Sequence, residues 1–407
     1  MSKKVVIIGS LDTKEAEFRY VDSILKKSGI STIIMNTGIY ETTFEADISN
    51  KEVAAAGGVT LNELQRKNDR GLAVATMAEG ASSFIQKLVN EQKVAGIFGM
   101  GGTAGTTVAA TAMKKSPIGI PKLIISTVAS GNTRPYIGEK DIMMMFSVVD
   151  IAGINSLSAQ ILKNGANALA GMVKGADIEV DVIKKPMIAT TMFGVTTPCV
   201  TKARKELEAK GYDVLVFHAT GTGGDAMEAL IQDGYIEGVA DITTTEFADQ
   251  LVGGVFSAGA QRLESAAMMK IPQVVSVGAL DMVNFGPRDT IPEQFKERLF
   301  YQHNPTTTLM RTTVEENIQI GEIIAQKINQ APQSSVVVFP KGGVSLLDRE
   351  GQPFEGTQQR ESLYNSLKKN LNPDVRFIEV EEDINDPIVA DLIVEQLLQL
   401  LKKEVKA

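Results

Sequence analysis

The chain opens with "KKVVIIGS", a short β-branched run ending in a loop. "TKEAEFRYVDSILKKSG" follows. It puts Ala16, Val21, Ile24 and Leu25 on one side and charges on the other, with Gly29 as the stop. That spacing predicts a helix. "ISTIIMNTG" reads as the next strand. Strand, helix and strand in this order build a parallel sheet.

The pattern then returns. "PMIATTMFG", "TPCVTKARKELEAKG" and "YDVLVFHATG" read as strand, helix and strand. Leu25, Gly29 and Ile33 fall on Leu207, Gly211 and Leu215, each 182 positions later. A second echo pairs "VAGIFGMGG…IGIPKLIISTVASGN" with "IEGVADITT…MKIPQVVSVGALDM". Gly96 meets Gly238 at an offset of 142, and Pro121 meets Pro272 at 151, so the later copy carries nine extra residues (151 − 142). Two echoes in the same order predict two related α/β domains.

The charged stretch "KGADIEVDVIKKP" marks the boundary, giving domains 1–180 and 181–407. Further on, "SSVVVFP" and "DVRFIEV" read as strands. "TVEENIQIGEIIAQKIN", "TQQRESLYNSLKKN" and "DPIVADLIVEQLLQLLKK" read as helices. The expected fold class is α/β: two similar Rossmann-like domains with mainly parallel sheets facing a shared cleft.

Composition narrows the classes. At 407 residues, two domains are the default, and 43% hydrophobic with 22% charged residues is globular. A net charge of −8 without a basic stripe argues against nucleic acid. Cys199 is the single cysteine, which rules out an internal disulfide framework and suits a reducing cytoplasm. The N-terminal apolar run is too short for a signal peptide, and no stretch reaches the roughly 18 apolar residues of a membrane span. No membrane partner is expected.

Ligands of open parallel sheets bind beyond the carboxyl ends of the strands, so the loops there carry the chemistry. "GIFGMGGTAGTT" lacks the lysine of a P-loop. It matches G-x-G-x-x-A at Gly99, Gly101 and Ala104, but "GIPKLIISTVAS" downstream offers no acid for a dinucleotide ribose. What remains is a glycine loop that lets the backbone approach an anion, with the N–H groups of the following helix aimed at it. Gly101, Gly102, Thr103, Gly105 and Thr106 are the candidate contacts, with Thr107 as a further donor; a tight turn without ligand is the alternative. "HATGTGGDAME" repeats the chemistry with Gly221, Thr222, Gly223 and Gly224.

"GSLDTKE" offers Ser10, Asp12, Thr13 and Lys14. Asp12 either caps the coming helix or meets ligand; Lys14 either reaches a phosphate or is solvated. "STVASGNTRPYIG" adds Ser130, Gly131 and Arg134, which suit sugar hydroxyls or a phosphate as well as they suit a turn.

The two histidines, His218 and His303, lie in loop-like segments. Asp281, Arg288 and Arg311 sit near strand ends or turns; an arginine there clamps an anion or forms a buried ion pair. His218, Asp281, His303 and Arg311 are the candidate catalytic set, because histidine titrates near neutral pH. No metal-ligand spacing stands out. Asp12, Asp241, Glu246 and Asp281 could hold Mg²⁺ only through a nucleotide. Cys199 opens a helix, where thiolates are favoured, but a small buried residue is the preferred reading.

"GSLDTKEAEF", "GMGGTAGT", "ISTVASGN", "TMFGVTTPCV", "FHATGTGGDAME", "TTTEFADQLVGGVFSAGAQRLE", "SVGALDMVNFGP" and "HNPTTTLMRTT" span nearly the whole chain. They resemble the motifs of an uncharacterised family of bacteria, fungi and plants. That family is best known from the ATP-binding N-terminal region of a tomato mosaic virus resistance protein. The resemblance implies two Rossmann-like subdomains, ATP as ligand, and a homodimer; Mg²⁺ is an option only as the nucleotide's companion. A TIM-barrel domain follows in the plant protein; after "LLKKEVKA" it would have to be absent or supplied by a separate partner.

Three functions follow as expectations. The first is a cytoplasmic nucleotide-binding protein, the second an enzyme acting on a phosphorylated or carboxylated small molecule, and the third a regulatory dimer with ATP as a structural ligand.

Overall fold

A computed structural model describes residues 3–176, 178 and 183–404. The chain divides into two compact units, Met1–Asp181 and Val182–Ala407.

Unit 1 runs β1 (Lys4–Gly9), α1 (Leu11–Lys27), β2 (Thr32–Asn36), α2 (Asn50–Ala56), α3 (Leu61–Lys67), α4 (Arg70–Asn90), β3 (Val94–Gly101), α5 (Thr103–Met113), β4 (Lys122–Ser126), α6 (Arg134–Ile137), β5 (Met143–Phe146) and α7 (Ser156–Gly175). Its sheet has the order β2-β1-β3-β4-β5 and every pairing is parallel. Helices α1 and α7 pack together on one face. Helices α2, α4 and α5 pack on the other. Both faces of β1 and β3 are therefore buried, which explains unbroken apolar runs such as Val5–Ile8.

Unit 2 runs β6 (Met187–Met192), α8 (Thr197–Ala209), β7 (Asp213–His218), α9 (Thr222–Gln232), β8 (Gly238–Thr243), α10 (Glu246–Val252), α11 (Ser265–Met268), β9 (Gln273–Gly278), β10 (Met282–Phe285), β11 (Phe300–Asn304), β12 (Thr307–Arg311), α12 (Val314–Ile328), β13 (Ser335–Pro340), α13 (Thr357–Asn370), β14 (Arg376–Val380) and α14 (Pro387–Glu404). The main sheet is parallel, in the order β7-β6-β8-β9-β13-β14. Strands β10, β12 and β11 make a separate antiparallel sheet.

Counted within its own unit, each main sheet follows the order 2-1-3-4-5, with a sixth strand added in unit 2. Both are Rossmann-like, doubly wound sheets. The repeated glycines have physical causes. Gly29 and Gly211 follow α1 and α8 with φ of 77° and 94°, a left-handed conformation that a side chain resists. Gly96 and Gly238 lie on the third strand of each sheet. A Cβ on Gly96 would stand 2.9 Å from Val173 of α7, and one on Gly238 would stand 3.3 Å from Leu397 of α14. The last helix of each unit packs closely over that spot.

Segment 282–311, read from sequence as polar loops, instead carries the antiparallel sheet. His303 consequently sits on a strand, at the exposed edge of that sheet. Among the described residues, no helix is long and apolar enough to cross a membrane.

Candidate functional site

The site builds from the point where strand order reverses. β1 and β3 are neighbours, but β1 leads into α1 on one face and β3 into α5 on the other. Their loops part at the carboxyl edge and leave a crevice, as open doubly wound sheets do. The crevice holds two adjoining cavities that share Ser10, Thr13, Arg70 and Ala104.

One lobe, about 380 Å³, is walled by Ile39, Tyr40, Val74, Met77 and Val108, with Asp12, Asn68 and Asp69 at its margin. The other, about 320 Å³, is formed by Lys14, Gly102, Thr103, Gly105 and Asp150. Helix α5 starts there on Gly102 without a side-chain cap. Among the described residues, nothing occupies the amides of Thr103, Ala104 and Gly105. Those amides, at the positive end of an eleven-residue helix, face an anion-sized space. Arg70 lines both lobes, is exposed, and pairs with no carboxylate among the described residues.

The glycines divide by role. A Cβ on Gly101 would come within 3.1 Å of Gly105, and one on Gly105 within 3.0 Å of the Met100 carbonyl, so both let the turn close. A Cβ on Gly102 would meet nothing nearer than Thr127 Oγ1 at 3.7 Å. Gly102 is thus small toward the cavity and not toward the protein.

Several expected contacts take other roles. Thr106 is fully buried, and its Oγ1 shares a 2.6 Å hydrogen bond with Ser126 Oγ, so it ties β4 to α5 and is no phosphate donor. Thr107 donates to the Thr103 carbonyl. Asp12 does not cap α1, which begins one residue earlier; its Oδ2 accepts from the Ile39 and Tyr40 amides at 3.0 Å each. It braces the apolar lobe's wall. Lys14 is half-buried rather than solvated, and its Nζ donates to the Ile151 carbonyl. Ser130 and Gly131 lie in the exposed turn after β4 and line neither lobe, and neither does Arg134. Arg70, Asn68 and Asp150 were not singled out from the sequence.

In unit 2 the second glycine loop already binds a carboxylate of the chain itself. Gly221 N donates to Glu246 Oε1 at 2.8 Å and Gly224 N at 3.2 Å. A Cβ on Gly224 would lie 2.5 Å from the same carboxylate. Arg262, fully buried, binds Glu246 at 2.6 Å, Asp241 through both terminal nitrogens at 2.5 and 2.7 Å, and Glu228 at 3.4 Å. Burial pushes the Glu246 carboxyl above its ordinary value, against the pull of Arg262. Thr222 and Gly223 stand in this loop, where a Cβ on Gly223 would strike the His218 carbonyl at 1.9 Å. The loop's anion is the chain's own carboxylate. Asp241 and Glu246 are engaged with Arg262 and are not free for a metal.

The proposed catalytic four do not present themselves to solvent together. Asp281 is buried and accepts from Ser345 Oγ at 2.8 Å. Burial and the nearby Asp348 push its carboxyl up. Arg311 is buried too, bonded to Asp348 at 2.8 Å and to the Phe354 and Asp281 carbonyls. It is the internal ion pair, not a clamp. Arg288 stacks on Phe300, 3.5 Å from the ring centroid. His218 ends β7, an edge strand, with its ring edge-on to Phe193 at 5.5 Å. Cys199 is buried, and burial pushes its thiol up to about 12, so it is no thiolate. A wider groove of about 690 Å³ runs along α8, but its Lys202 is tied to Glu206 and Asp391 and it contains no glycine loop.

Comparison with known proteins follows the same division. Residues 3–177 match the N-terminal domain of Uncharacterised protein family UPF0261, and residues 185–401 match its C-terminal domain. A UPF0261 protein of Clostridium tetani is 50% identical over 405 residues, covering 99% of this chain and all of that one. The ToMV resistance protein Tm-1(GCR237) of Solanum lycopersicum is 41% identical over 424 residues; the match takes in 99% of this chain but 56% of the tomato protein. Among solved structures, UDP-N-acetylglucosamine 2-epimerase from Rickettsia bellii aligns over 100% of this chain and 97% of its own at 10% identity, with a TM-score of 0.24, too low to bear on function. With both domain matches in chain order and relatives of this identity along nearly its whole length, the chain belongs to the UPF0261 family.

Proposed function

We propose that the protein binds a nucleotide, ATP by the family resemblance, in the crevice of unit 1. The observation that carries this reading is the pairing of an apolar lobe with a donor-lined one at the switch point. The first suits a base against Ile39, Val74 and Met77; the second suits phosphates on the free amides of α5. Arg70, reaching both lobes, supplies a cation between base and phosphates. In unit 2 the corresponding glycine loop already gives its Gly221 and Gly224 amides to Glu246.

Calorimetric titration of the full chain with ATP tests the reading, and no binding at millimolar nucleotide would sink it. Gly102→Val is the companion variant. Its side chain fits the fold, with 3.7 Å of clearance, but projects where the phosphates would rest. Binding should be lost while the melting temperature stays unchanged.

A further inference from the structure

The phosphate lobe contains one group that a bare polyphosphate would repel. Asp150 lines it beside Gly102, Thr103 and Lys14. Its Oδ1 accepts from the Ile151 amide at 2.8 Å, while Oδ2 has no partner among the described residues. Among the described residues it forms no ion pair with a lysine or arginine. Asp150 is also held in place. Lys14 donates to the Ile151 carbonyl, and Gly153 N donates to Glu17 Oε1 at 2.6 Å, so α1 grips the chain on the C-terminal side of Asp150. The Lys14 backbone itself leaves the helical region (φ −137°, ψ 34°) within α1.

A carboxylate fixed among phosphate donors makes sense when a cation lies between the two anions. Mg²⁺ is commonly held in this way, by one or two carboxylates plus substrate phosphates, keeping several of its waters. We propose that Asp150 is the protein ligand of a divalent cation that enters with the nucleotide. The true ligand of the site is then the magnesium–nucleotide complex. This rests on the nucleotide reading of the same crevice. It differs from the acids first considered for that role: Asp241 and Glu246 are bound by Arg262, Asp281 is buried, and Asp12, whose Oδ2 braces the Ile39–Tyr40 backbone, lines the apolar lobe and not this one.

The test is calorimetric titration of ATP into the wild-type chain and Asp150→Asn, each with Mg²⁺ and with EDTA. Asparagine keeps the Oδ1 bond to Ile151 and removes the charge, and Asp150 is exposed, so the fold is not at risk. Wild type should bind roughly tenfold more tightly with Mg²⁺, an ordinary coupling between two ligands. Asp150→Asn should lose that preference and, in EDTA, bind ATP more tightly than wild type, because the repulsion is gone. A purely structural Asp150 would give no such gain. Full Mg²⁺ dependence in Asp150→Asn overturns the assignment and leaves the nucleotide site standing. So does weaker binding by the variant that is the same in both buffers, the result expected if Asp150 held a sugar hydroxyl. Absence of ATP binding by wild type in either buffer removes the nucleotide reading and this inference together.

Discussion

The two glycine loops of this chain are built alike and differ in what they hold. Both join a parallel strand to a helix, and both bring bare backbone to a helix N-terminus. In unit 1 the amides of Thr103, Ala104 and Gly105 face a cavity. In unit 2 the amides of Gly221 and Gly224 are satisfied by Glu246, which Arg262 anchors from behind. Glycine spacing therefore specifies an anion cradle without specifying whose anion fills it. A buried carboxylate from twenty-odd residues away serves as well as a phosphate from solution.

The largest effect should come from taking away the anchor of the filled loop. Arg262→Met leaves three carboxylates, Glu228, Asp241 and Glu246, buried without their cation. A loss of about 3–5 kcal/mol is expected, the usual result of stripping one partner from a buried ionic group. Urea unfolding measures it, and a change below about 1 kcal/mol would show the charges are not held as described.

Next comes the same substitution in each loop. Gly223→Val drives a Cβ to within 1.9 Å of the His218 carbonyl and should destabilise unit 2 by about 2 kcal/mol. Gly102→Val should leave stability untouched and abolish ATP binding. Equal melting shifts for the two would erase the contrast between an occupied and an open cradle.

Arg70→Ala should weaken ATP by roughly tenfold, the scale of one charged hydrogen bond, with melting of the free protein unchanged. Full affinity in this variant would move the phosphates away from Arg70.

The smallest effect is a difference in pH response. Burial pushes the Asp249 carboxyl from an ordinary 3.8 up to about 7. Its folded form keeps a proton that the unfolded chain has released, so its contribution is full below the unfolded value and is lost as pH rises toward 7. Glu15 in unit 1 is held down to about 2, chiefly by hydrogen bonds from Thr43 and Thr42. Its contribution is present above the unfolded value of 4.5 and is lost as pH falls toward 2. Hydrogen exchange followed between about pH 5 and pH 8 should show protection around Asp249 declining with pH while that around Glu15 stays level. Parallel slopes would count against both assignments.

Much of the fold was legible because periodicity and repeated glycines report backbone requirements. Gly29 and Gly211 mark left-handed turns, and Gly96 and Gly238 mark close helix packing. The antiparallel sheet was not legible: "YQHNPTTTLM" is as rich in polar residues as a loop, and β11 stays exposed at the edge although Thr308–Arg311 of β12 are buried. At the site, the glycine loop of unit 1 was read correctly as a loop between strand and helix. The fate of Glu246 could not be read, because an acid opening α10 carries no sign of which amides it will reach. Arg70 and Asp150 belong to no motif. The one begins a helix, the other follows the edge strand β5, and only the topology brings them to one cavity.

The grip of α1 on the segment after β5 has a consequence for how the chain comes together. Lys14 and Ile151 are 137 positions apart, and Glu17 and Gly153 are 136 apart. These are among the longest loops unit 1 has to close, and contacts of such separation form late and slowly. During synthesis the glycine loop and Arg70 leave the ribosome well before Asp150 does. The lobe between them is therefore complete only when the last third of unit 1 has docked, so whatever needs all of its walls can be held only by a fully folded unit.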